Sequence, residues 1–135
     1  MPYEEREHTA DILMHVWAPD IQSLFVDCGH ALMTTMYRGS ARPECSYSFT
    51  VAGTDHVQLL QAYLSELLFL TETENIVFSE IFVVMDDKGL SVQLSGEPFD
   101  RKKHGGGTEV KGISFCGLAI SRQNDEYVLD ILFDV

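Results

Sequence analysis

From Asn75 to Val135 the sequence shows no helical spacing, only two long alternating runs, each interrupted by a tight polar turn. "NIVFSEIFVVMDDKGLSVQLSGE" turns back at "DDKG", where Gly89 supplies the positive φ such turns need. "GTEVKGISFCGLAISRQNDEYVLDILFDV" turns back at "RQND". Strands joined by short turns pair antiparallel, so this part of the chain builds antiparallel sheet. Its apolar faces need cover, and the first half provides it. "APDIQSLFVDCGHALMTTMYRG" places Ile21, Leu24, Phe25, Cys28, Ala31, Leu32 and Met36 on one helical stripe, with Asp20 as cap and Gly39 as stop. "TDHVQLLQAYLSELLFLTETE" does the same through Val57, Leu60, Tyr63, Leu64, Leu67 and Leu68, capped by Thr54. Two further runs alternate. In 11–18, Ile12, Met14 and Val16 oppose Leu13, His15 and Trp17, which predicts a strand covered on both sides; in "CSYSFTVAG", Tyr47, Phe49 and Val51 share a face. The predicted order is β-α-β-α-β-β-β-β. The fold class is α+β, two helices packed on antiparallel-dominated sheets, in one domain over residues 1–135.

Charge narrows the function. Nine Lys plus Arg against 21 Asp plus Glu give 9 − 21 = −12. Such a chain repels a phosphate backbone unless its cations gather, which excludes direct, high-affinity nucleic-acid binding. The one gathering is "DRKKHGGG", within a loop at 98–107, where consecutive glycines indicate mobility or close approach to a ligand. No apolar run is long enough to span a membrane, and the acidic start is not a signal peptide. Cys28, Cys45 and Cys116 are widely spaced, which argues against a thiolate zinc site or a disulfide framework. A cytoplasmic setting is expected.

In the last run, Val128, Asp130, Leu132 and Asp134 face away from Tyr127, Leu129, Ile131 and Phe133. Asp134 ends that run and Asp11 begins the first one. If the two strands are antiparallel neighbours, Asp11, Asp134 and the α-carboxylate of Val135 converge. Carboxylates so close together call for a hard divalent cation. If they are not neighbours, both aspartates are ordinary solvated strand ends. His8 could orient such a site, and Lys111 could meet a phosphate or balance the carboxylates; each also has a plain surface reading. Arg101, Lys102 and Lys103 lack the order of a phosphate-binding P-loop, so as a nucleotide signal they are weak. Thr9 has no base at a suggestive spacing, His15, His30 and His56 read as structural, and Cys116 reads as a small apolar residue.

"EHTADI", "GTEVKGISFCGL" and the terminal "LFDV" resemble the archease family, and the element order and length match over essentially the whole chain. The resemblance implies a protein cofactor with no turnover of its own. It would activate an RtcB-type RNA ligase in tRNA splicing, promoting ligase guanylylation and multiple turnover. It further implies Asp11, Asp134 and Val135 as ligands of a divalent metal ion (calcium, magnesium or manganese), with His8 and Lys111 as accompanying polar residues. Arg101, Lys102 and Lys103 become candidate contacts to nucleotide or partner. The chain departs from the family where "VKGISFC" stands for a more usual "VKA(V/I)TYH": Gly112 replaces a small alanine, and Cys116 stands where histidine is common. Two other readings stay open: a metal-dependent phosphohydrolase, and a chaperone-like binding module.

Overall fold

The computed structural model describes residues 2–6, 11–115 and 117–135; His8, Thr9 and Cys116 lie outside them. The described chain forms two antiparallel sheets and two long helices, as the α+β class requires. Strand β1 (Tyr3–Arg6) leads by a reversal into β2 (Ile12–Ala18). Helix α1 spans Ile21–Met36, β3 Cys45–Val51 and α2 His56–Glu74. The hairpin of β4 (Ile76–Asp86) and β5 (Gly89–Pro98) follows, then a single helical turn α3 (Arg101–His104). The chain closes with β6 (Gly112–Ser114), β7 (Ser121–Gln123) and β8 (Glu126–Asp134). The larger sheet has the order β1-β2-β8-β6, with β7 also on β8; the smaller has β3-β5-β4.

The structure departs from expectation in five places. β1 is an added edge strand. The alternating arm before "RQND" is broken into β6 and β7, both paired with β8. Asp55, not Thr54, caps α2, accepting from the Gln58 amide at 2.8 Å, while Thr54 turns its own amide and hydroxyl to the Gln58 side chain. Helix α1 starts on Asp20 as expected but ends at Met36, because Tyr37 is already extended; Gly39 lies beyond it, against the Lys103 carbonyl. The outer side of β2 is half-buried rather than covered. Both turns close as read: Asp86 pairs with Gly89, and Asn124 and Asp125 both take positive φ (52° and 65°), a type I′ pair.

Helix α1 joins the two sheets, packing on β2 of one and β4 of the other, while α2 packs across β3, β4 and β5. The stripe read from sequence is the buried one: Leu24, Phe25, Cys28, Ala31 and Leu32 are fully covered, as are Leu60, Tyr63, Leu64 and Leu67. The Gln22 side chain accepts from the Met85 amide at 2.8 Å. An edge amide of β4 is thereby satisfied by α1 instead of being left to another chain.

Candidate functional site

Register decides whether the aspartates meet. β2 and β8 pair antiparallel from Ala18↔Tyr127 to Ile12↔Phe133; Asp11, a bend residue, immediately precedes Ile12, and Asp134 immediately follows Phe133, so the register leads both aspartates to the same end of the sheet. On the other side of Asp134 lies the start of β6, with Gly112 as its partner and the Lys111 amide donating to the Asp134 carbonyl at 2.7 Å. Three strand ends therefore meet at one edge of the larger sheet. Phe133 is fully buried and Val135 packs its side chain against the core, which fixes the backbone on both sides of Asp134. Asp134 and Lys111 are exposed and Asp11 is half-buried. Among the described residues none of these three side chains has a hydrogen bond or ion pair.

As donors for a metal, the carboxylates of Asp11 and Asp134 and the main-chain oxygen of Val135 are hard oxygens suited to calcium, magnesium or manganese. Among the described residues no group of three His, Cys, Asp or Glu side chains is placed to hold an ion. His8 is not among them.

The basic cluster is organised by a buried charge. His104 is fully buried; the Asp100 amide donates to its Nδ1 at 3.0 Å, so its proton sits on Nε2, which faces Glu97 Oε1 at 2.9 Å and the Ser40 carbonyl at 3.2 Å. Lys103 Nζ also pairs with Glu97; Arg101, Lys102 and Lys103 are all exposed. The segment 98–111 is a strap tied down along its length, not a free loop. The Phe99 amide bonds to the Asn75 carbonyl, the Arg38 amide to that of His104, and the Thr108 amide to that of Thr35, each at 2.9 Å. Arg38 Nε donates to the Gly106 carbonyl at 2.7 Å. The close approach indicated by the glycines is to the chain itself: a Cβ on Gly107 would lie 2.1 Å from the Met36 carbonyl oxygen. Buried Val110 then delivers Lys111 to Asp134. Sequence reading missed this network because Glu97 and His104 belong to no recognisable motif.

The Lys103 ammonium, and to a lesser extent the Arg42 amide and His104, hold the Glu97 carboxyl below the ordinary glutamate range despite its burial. A depressed value means the stabilisation is complete above the unfolded-state value and disappears as pH falls through the folded one. Thermal melts of wild type and Glu97→Gln from about pH 7 down to about pH 3 should therefore converge at the acid end. A constant difference between them would show that Glu97 ionisation does not matter.

His15, His30 and His56 lie elsewhere. His15 Nδ1 pairs with Asp130 at 2.7 Å, His56 opens α2, and His30, its imidazole held below the ordinary histidine range by burial, lines a cleft of about 660 Å³ with Ile12, Met33, Arg38 and Phe78. Among the described residues no helix is long and apolar enough to cross a membrane.

Comparison with known proteins agrees with the fold. The model of the Archease protein family matches residues 3–135. The chain is 32% identical to "Protein archease" of Methanopyrus kandleri, covering 100% of both chains. It is 30% identical to "Protein archease-like" of Drosophila melanogaster, over 100% of this chain and 91% of that one. Its fold resembles the solution structure of Methanobacterium thermoautotrophicum protein 1598 (TM-score 0.83, 23% identity, 99% of each chain). It also resembles the crystal structure of an archease, possible chaperone, from Thermotoga maritima (TM-score 0.68, 16% identity, 98% and 96% of the two chains).

Proposed function

The chain belongs to the archease family, and from that premise we propose that it activates an RtcB-type RNA ligase, speeding guanylylation and supporting repeated turnover in tRNA splicing. The observation that supports this most is the β2–β8 register: its last pair, Ile12↔Phe133, is flanked by Asp11 just before β2 and by Asp134 at the end of β8, with Lys111 bonded to the Asp134 carbonyl from the adjoining strand. A bound divalent ion would be held by Asp11, Asp134 and the Val135 main-chain oxygen and would supply positive charge to phosphate oxygens. The chain's own contribution is positional. Two carboxylates and an ammonium would be presented from the same end of the sheet, with Lys111 available to a nucleotide phosphate. The paired backbone at Asp134 and Lys111 is already ordered, so its ordering adds little to the entropy lost on docking. The net charge of −12 suits a partner that must present a basic surface to RNA.

The test is single-turnover guanylylation of the cognate ligase with wild type, Asp11→Ala and Asp134→Ala. Wild type should accelerate the step, and each variant should lose at least about tenfold of that acceleration while melting like wild type. Acceleration by all three alike would retain the partner and refute the carboxylate site. The Thermotoga maritima relative is described as a possible chaperone, which motivates a second reading. Under it, suppression of ligase aggregation would survive both substitutions and removal of divalent ions, and guanylylation per folded ligase would be unchanged. Phosphatase or nuclease activity of the isolated protein would instead favour the phosphohydrolase.

A further inference from the structure

Alternation along β2 and β8 divides their residues between two faces. Val16, Leu129, Ile131 and Phe133 enter the core. The opposite face carries, in register order, Leu13 beside Leu132, His15 beside Asp130, and Trp17 beside Val128. Asp11 and Asp134 lie two residues beyond Leu13 and Leu132, just past the last pair of the ladder, Ile12↔Phe133. Glu4 of β1, opposite His15, stands in the same row as His15 and Asp130.

An antiparallel sheet with one face in water normally carries polar residues there. This face does not. Leu13, Trp17 and Leu132 are half-buried and belong neither to the core cluster nor to the residues packed against it, while Val128 beside Trp17 is itself buried. The helix that packs on β2, α1, lies on the inner side among core residues. His15 is held by Asp130 at 2.7 Å and its ring lies 5.7 Å from that of Trp17, so the indole stands in a fixed setting. The strip runs about 20 Å along the strands from Asp11 to Trp17.

We propose that this strip is the surface on which the protein docks to a basic protein partner, with Leu13, Trp17 and Leu132 as apolar anchors and Asp130 and Asp134 as a rim matched to cations. The partner is the ligase of the preceding subsection, and the inference rests on that reading. Charge complementarity selects this occupant. A two-fold pairing of the strip with a second copy would set its acidic rows against each other. An anionic lipid surface or a nucleic acid would be repelled in the same way. Continuity matters too: a partner seated on the strip necessarily meets Asp11 and Asp134 at its end. Phe82, more exposed at 60%, lies on the smaller sheet opposite Gln93, away from these carboxylates, and serves as a control.

The experiment measures ligase affinity for wild type, Trp17→Ala, Leu132→Ser and Phe82→Ser. The same preparations are assayed for guanylylation and sedimented alone. Trp17 is the chain's single tryptophan, so a fluorine label on it reports the strip without any substitution. The expected result is affinity weakened by about tenfold or more in the first two variants, unchanged affinity in Phe82→Ser, and a fluorine shift on adding ligase. Should a variant misfold, the fluorine signal in otherwise unaltered protein decides. If wild type activates the ligase while both strip variants bind equally well and the fluorine signal stays put, the docking surface is wrong and the activator reading stands. If wild type neither binds nor activates, both fall. A wild-type dimer that Leu132→Ser dissolves would make the strip a self-interface and overturn the proposal.

Discussion

Gly29→Ala is expected to destabilise the protein by about 3 kcal/mol or more and to lower its thermal midpoint by roughly 10 °C. Gly29 lies in the middle of α1, where glycine is a poor helix former, and an alanine there would ordinarily be an improvement. Here the added Cβ would fall 2.3 Å from the Tyr63 hydroxyl and 2.8 Å from Ile81 Cδ1. Ile81 can rotate its tip. Tyr63 is fully buried and its ring is stacked on Phe25 at 5.7 Å and Phe49 at 6.4 Å, so moving it means moving the junction between α1, α2 and β3. The same hydroxyl is, among the described residues, the one buried side-chain polar atom without a hydrogen-bond partner. Tyr63→Phe is therefore expected to be neutral or stabilising, by about 1 kcal/mol, because it removes a desolvated group that nothing satisfies. In the Tyr63→Phe background the cost of Gly29→Ala should fall by at least about 1 kcal/mol. Chemical denaturation of the four proteins closes this cycle. An undiminished Gly29→Ala cost in the phenylalanine background would show that the hydroxyl is not what the methyl group meets.

The close approach at Gly29 could not be read from the sequence, although the helix around it could. Periodicity reports which face of α1 is buried, and Leu24, Phe25, Cys28, Ala31 and Leu32 lie where the stripe puts them. It does not report how near a second helix comes. The aspartates show a similar division. Alternation in "DILMHVWA" and "YVLDILFDV" sorts the residues of each strand into faces, but pairing between them is a long-range property that no local signal encodes. Only the register leads Asp11 and Asp134 to the same end of the sheet. "YEER" carries too little apolar alternation to announce β1, whose residues pair along a single side. "GTEVKGISFCGLAISRQ" announces too much: its alternation is real, yet among the described residues only Gly112–Ser114 and Ser121–Gln123 pair with β8 as strands. In "RKKHGGG" composition misleads. Charge and glycine describe a mobile loop, whereas the structure makes it a strap by burying His104 against a glutamate from the preceding strand.

That burial leads to the second large effect. His104→Ala should cost about 3 kcal/mol, for two separable reasons. It empties a fully buried ring site beside Phe99, whose ring centroid lies 6.1 Å away. It also leaves the Asp100 amide without its acceptor and Glu97 without its Nε2–H donor. His104→Gln should recover only part of the loss, because one amide group does not span both partners. The damage should be local in pattern. The amides of Arg38 and Thr108, bonded to His104 and Thr35 across the strap, should lose hydrogen-exchange protection by tenfold or more, about 1.4 kcal/mol. The Lys111 amide, downstream of buried Val110 and bonded to Asp134, should lose much less. If protection instead falls equally at all three, the strap and the strand ends open as one unit, and His104 then sets the position of Lys111 as well as that of the loop. If the alanine variant melts within about 0.5 kcal/mol of wild type, the strap is held by its backbone bonds to α1 and the segment after it, and the buried histidine only fills space.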